Sequence, residues 1–131
     1  MLYITKGQIT IFKGLIHKKI KKGVKNMKNI NNKEISVFVG LLKKDMKTKL
    51  NQKATKNLIL KEFKQIKVIG GNLNLNKGVW AGKEEPSLIF SFINTFKVSK
   101  KDILKVIKNL KQKLDQESIL ITIKPIEFNF I

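Results

Sequence analysis

The sequence predicts an α+β domain in which a four-stranded antiparallel sheet carries two helices on one face. Three observations lead there. Two segments place apolar side chains at the 3.6-residue spacing of an amphipathic helix, Ala54 to Ile66 and Ile103 to Leu114. Four others are β-branched and aromatic runs or alternate with period two. Their order is strand, helix, strand, strand, helix, strand, the split unit that closes into one antiparallel sheet.

Each element has its own signal. Ile35 to Leu42, ISVFVGLL, reads as a buried first strand. Lys43 to Lys49 is a charged loop, and Thr48 or Asn51 caps a helix with apolar positions Ala54, Leu58, Ile59, Phe63 and Ile66, ending near Lys67. Asn72 to Asn76 alternates as a half-exposed second strand, and Lys77-Gly78 is expected to turn the chain. Gly82 to Pro86 is expected as a loop into a third strand, Ser87 to Ile93, apolar on both faces. Ser99 followed by Asp102 starts the second helix, with Ile103, Val106, Ile107, Leu110 and Leu114 on one side. Ile119 to Ile123 is the fourth strand, and after Pro125 the alternation resumes over Ile126 to Phe130, which is expected at the sheet or its edge. The whole is a ferredoxin-like sandwich over residues 34–131. Because two helices cover one face only, the other face needs a cover, from the N-terminal segment, a second subunit or a ligand.

Residues 1–33 form a separate basic arm. Phe12, Leu15, Ile16, Ile20, Val24 and Met27 make an apolar helical stripe, opposite Lys18, Lys21, Lys22, Lys25 and Lys28. Such a helix either coats an anionic surface or lies across its own domain, and a hairpin around Lys6-Gly7 is an alternative start.

Composition bounds the chemistry. The chain has 131 residues, enough for one domain with a sizeable core, and a net charge of +19. Every basic residue is lysine, so the field attracts anions without the bidentate fork by which arginine reads a phosphate or a guanine. Cysteine is absent and histidine occurs once, as His17, which argues against thiolate metal sites and a transition-metal centre. No cofactor motif is visible. No apolar run reaches the length of a membrane span or a signal peptide, so a soluble, cytoplasmic protein is expected.

Four residues qualify as a ligand-binding set: Trp80, Glu85, Ser87 and Gln116. Glu84 and Glu85 are adjacent, so a strand would place them on opposite faces, where they cannot work as a carboxylate pair. Ser87 has no histidine in the second half of the chain to serve as its base. Trp80 either stacks on a nucleotide ring or packs into the core, and Gln116 either orients a ligand amide or caps a helix.

The segments Phe38-Val39-Gly40-Leu41, Gly78-Val79-Trp80, Glu85-Pro86-Ser87 and Gln116-Glu117-Ser118 resemble, in order and spacing, a small bacterial domain family of unknown function over residues 35–131. That resemblance carries no activity to transfer. Val37 to Leu42 also looks like the first-strand motif of the RNA-recognition motif, but Leu41 replaces its asparagine and the matching third-strand motif is missing, so the similarity is one of fold.

The main functional reading is a non-enzymatic binding protein whose lysines draw it to an anionic partner, most simply nucleic acid or a nucleotide. Two alternatives stand beside it. One is a homodimer through the open sheet face, acting as an interaction or inhibitor protein of a mobile genetic element. The other is a small-molecule enzyme on a ferredoxin-like dimer, using Trp80, Glu85, Ser87 and Gln116.

Overall fold

A computed structural model describes residues 29–80 and 83–131, with the backbone alone at 79, 80 and 83. The basic stripe Lys18, Lys21, Lys22, Lys25 and Lys28, with His17, lies outside the described residues. The elements are β1 (Glu34–Gly40), α1 (Gln52–Gln65), β2 (Asn72–Trp80), β3 (Lys83–Ile93), α2 (Lys100–Lys113) and β4 (Leu120–Lys124). The sheet order is β2-β3-β1-β4 with every neighbouring pair antiparallel, so the predicted α+β ferredoxin-like arrangement is the observed one.

The alternation of β1 and β3 decides which face the helices cover. Ile35, Val37 and Val39 of β1, with Leu88, Phe90 and Phe92 of β3, are all buried beneath Ile59 and Phe63 of α1 and Ile103, Val106 and Leu110 of α2. Phe63 is the hinge of this packing, with its ring centroid 4.8 Å from that of Phe90 and 5.6 Å from that of Phe92. Ala54, expected in the apolar stripe, is exposed, and its neighbour Thr55 is buried instead, bonding its hydroxyl back to the Asn51 carbonyl at 2.7 Å.

Both helices are capped by their own sequence. The Asn51 side chain accepts from the Ala54 N–H at 2.8 Å, and Ser99 from the Asp102 N–H at 3.2 Å. At the C-terminal ends, Lys67 and Asp115 turn into the left-handed region, with φ of 68° and 50°. Val68 then donates to the Phe63 carbonyl and Gln116 to the Lys111 carbonyl, the six-to-one bond that closes a helix end.

Three expectations are corrected. Lys77-Gly78 does not turn the chain: β2 runs on to Trp80 and β3 starts at Lys83, so the hairpin connection falls at 81–82, outside the described residues, and Glu84 to Pro86 are strand. The first strand stops at Gly40, two residues early. Leu41 donates its N–H to the Pro86 carbonyl at 3.0 Å, but proline has no N–H to return, and the Leu41 carbonyl accepts from Leu50 at 2.8 Å instead. That bond leads the chain out of the sheet. Residues 126–130 form no strand, because β4 already meets the start of β1 at the Glu34–Lys124 pair and no partner strand remains. Phe128 and Phe130 stack on each other instead, with centroids 5.5 Å apart.

The open face is more polar than expected. Opposite residues across the strands share a face, which sets Asn72, Ser91, Ser36 and Thr122 in one row and Asn74, Ile89, Phe38 and Leu120 in the next. The Ser36 and Ser91 hydroxyls bond at 2.8 Å. Asn94, fully buried at the end of β3, bonds the Ile30 and Val98 carbonyls and the Val98 N–H, which fixes the chain entering β1. No helix among the described residues is long and apolar enough to cross a membrane.

Candidate functional site

The next row of the open face is Asn76, Ser87 and Gly40, and beyond it Gly78 stands directly opposite Glu85. Glycines therefore flank Glu85 on both neighbouring strands. Neither glycine adds a side chain, which leaves a trough in the sheet's own side-chain layer beside Glu85, and Gly78 itself is buried. The Glu85 side chain lies along it. A β-carbon placed on Gly40 would stand 2.8 Å from Glu85 Oε1 and 3.3 Å from Gln116 Oε1, so both oxygens crowd one point above the Gly40 backbone.

Gln116 arrives from a different element. The left-handed turn at Asp115 sends the chain back over the end of β1, and Gln116 is buried there. Its amide nitrogen donates to the Leu42 carbonyl at 2.9 Å and to the Leu114 carbonyl at 3.2 Å. With both N–H groups used on backbone oxygens, Oε1 must face the trough.

Burial pushes the Glu85 carboxyl above the ordinary glutamate range, and no charged neighbour offsets that effect. Among the described residues no cation pairs with it, although lysines are everywhere else: Lys77 reaches Glu84 on the other face, Lys44 reaches Asp115, and Lys124 reaches Glu34. The corner thus holds a partly dehydrated carboxyl that has no counter-ion among the described residues. Such a group is suited to receiving a positive charge carried by a ligand.

Of the four predicted site residues, Glu85 and Gln116 meet over Gly40, and Ser87 lies beside them as the β3 partner of Gly40 and Asn76. Trp80 ends β2 opposite Lys83, and its side chain lies outside the described part of the structure. Sequence reasoning took Gly40 and Gly78 for motif landmarks and missed that they make the space; the signal was the glycine spacing against Glu85, which means nothing until the strand register is known. Among the described residues no group of three or more histidine, cysteine, aspartate or glutamate side chains is placed to hold a metal ion. A groove of about 510 Å³ runs between the helices past Glu62, Phe96 and Lys105, on the far side of the sheet from Glu85.

No protein-family model matches the chain, and no curated protein does. Solved structures do match. A phage SAM lyase in complex with S-methyl-5′-thioadenosine is 23% identical, with a TM-score of 0.55 over 72% of this chain and 82% of that one. The apo state of a phage SAM lyase gives 22% identity and a TM-score of 0.53 over 74% and 82%. These values establish the shared fold. They also correct the main functional reading: the solved structures that share this fold are of a phage SAM lyase, an enzyme, and not of a nucleic-acid binder, which overturns the expectation of a non-enzymatic binding protein.

Proposed function

We propose that this protein is an enzyme that binds S-adenosylmethionine, or a close adenosyl sulfonium, and cleaves it to S-methyl-5′-thioadenosine. The observation that carries the reading is the partly dehydrated Glu85 carboxyl over Gly40, without a cationic partner among the described residues, on a fold shared with a phage SAM lyase. The substrate brings two positive charges, an ammonium and a sulfonium, and Glu85 is the carboxylate available to hold one of them. A sulfonium also carries its own leaving group. When its carbon–sulfur bond breaks, the electron pair returns to sulfur and a neutral thioether departs.

The substrate's own carboxylate can displace that thioether at the γ-carbon. One O–C bond forms, one C–S bond breaks, a five-membered lactone closes, and no proton needs to move. Opposite charges disappear along this path, and water-poor surroundings favour such a step. The protein's part is then to hold the substrate folded, with carboxylate and γ-carbon in contact. A second copy across the open face goes with this reading: Phe38, Ile89 and Leu120 give that face an apolar centre, and another chain there would supply the wall a flat sheet lacks around an adenosyl group.

The test is direct. The full chain is incubated with S-adenosylmethionine and the products are followed by chromatography. S-methyl-5′-thioadenosine should accumulate with the wild type and fall by about a hundredfold or more in Glu85→Gln. Unchanged substrate after prolonged incubation would overturn the reading.

A further inference from the structure

We propose that Gln116 is a positioning residue that stabilises the protonated form of Glu85 by accepting a hydrogen bond from its carboxyl, so that a cationic ligand binding to that form must expel a proton. The inference rests on the reading of this corner as a site for a positively charged substrate, and adds to it a proton and a second residue.

The geometry leaves Gln116 one role toward Glu85. Its amide nitrogen is committed to the Leu42 and Leu114 carbonyls, at 2.9 Å and 3.2 Å, so what it turns to the trough is an acceptor without a donor. Glu85 Oε1 crowds the same point above Gly40. Two acceptor oxygens turned to one point at a partly dehydrated site repel, unless one carries a proton and donates it to the other. The carboxyl is the group that can carry it. Burial of Glu85 favours the same protonated form.

Nothing nearby among the described residues opposes this. From β2, Gly78 and Asn76 face the carboxyl, and from β1, Gly40; none titrates. Lys77 and Glu84 pair with each other on the opposite face, and Asp115 pairs with Lys44. Glu117 follows Gln116, and no charged group contributes to the behaviour of Glu85. When a cation enters, the proton leaves to water and the carboxylate pairs with the ligand. When the sulfonium has become a neutral thioether, that pairing partner is gone, and below the Glu85 midpoint a proton returns from water.

The experiment follows the Glu85 carboxyl carbon by NMR through a pH titration of the ligand-free full chain, with Glu85→Gln to identify its signal. In the wild type Glu85 should titrate above the ordinary glutamate range, and in Gln116→Met its midpoint should move down toward that range. A purely structural Gln116 would lower the melting temperature and leave the midpoint where it is, and that result overturns the proposal. Should Gln116→Met fail to fold, calorimetry of wild-type binding in two buffers of different ionisation enthalpy decides: S-adenosylmethionine should release close to one proton below the Glu85 midpoint and none above it. Binding of the sulfonium without proton release at any pH overturns the proposal. A protein that neither binds nor cleaves S-adenosylmethionine would refute the proposed function, while the NMR titration would still judge Gln116.

Discussion

The Glu85 carboxylate lies over Gly40 so closely that a β-carbon on that glycine would stand 2.8 Å from Oε1. The contact is with the far end of a flexible side chain, so Gly40→Ala should fold and should move the carboxylate. The expected melting temperature is within about 3 °C of the wild type, because the new methyl meets only side-chain ends, Glu85 Oε1 and, at 3.3 Å, Gln116 Oε1, and no backbone or apolar core atom. Formation of S-methyl-5′-thioadenosine should fall at least about tenfold, since an ångström-scale misplacement of a group that holds substrate is costly. Full activity in Gly40→Ala would remove Glu85 from the chemistry.

Glu85 should also set a dependence of stability on pH. Its carboxyl is raised above the ordinary value by burial, so its contribution to stability is complete below the usual glutamate range and is lost as pH rises through the raised value. At neutral pH the ionised group therefore costs stability. Glu85→Gln should melt at a higher temperature than the wild type at pH 7, and the gap should close as the pH falls below about 4. Thermal melts across that range test the sign: a less stable glutamine variant at neutral pH would contradict it. Loss of activity with gain of stability is the mark of a group kept for function.

A second buried carboxylate behaves differently. Glu62 of α1 is 1% exposed and bonds Lys113 of α2 through Oε1, while Oε2 has no partner. Lys113→Met leaves that charge in the helix interface without a cation and should cost about 2–4 kcal/mol in urea denaturation. Replacing both, as Glu62→Leu with Lys113→Met, should recover most of the loss, because the penalty lies in the stranded charge. A double variant as unstable as the single one would show that the ion pair stabilises in its own right.

The fold was legible because its signals are local. Asn51 and Ser99 announce their helices, and Val37, Phe63 and Val106 sit where a period of two or of 3.6 places them. Failures came where a residue's meaning depends on what lies across the sheet. Gly78 reads as a turn by its conformational freedom, yet it stays in β2, buried and without a side chain directly opposite Glu85. Ile126 to Phe130 alternates like a strand, and alternation cannot reveal that β1 has run out of backbone to pair. The site was half legible for the same reason. Glu85 and Gln116 stand out as residue types, but their meeting depends on the register of β3 against β1 and on a left-handed aspartate at 115.

Pro86 has a bearing on how that register is chosen. Its missing N–H faces Leu41, one residue past the end of β1, where the Leu41 carbonyl has another donor in Leu50. If β3 slid two residues so that Pro86 met Val39, every side chain would keep its face and the core pattern would still look satisfied. The gap in the ladder would then fall inside the sheet, opposite a carbonyl with no second donor. Such a slip would also carry Glu85 about 7 Å along the strand, from one rung beyond Gly40 to directly opposite it, and would move Ser87 from Gly40 to Phe38. A single imino acid thus works against that slip and favours the alignment in which Ser87 pairs with Gly40 and Glu85 reaches back over the glycine from the next rung.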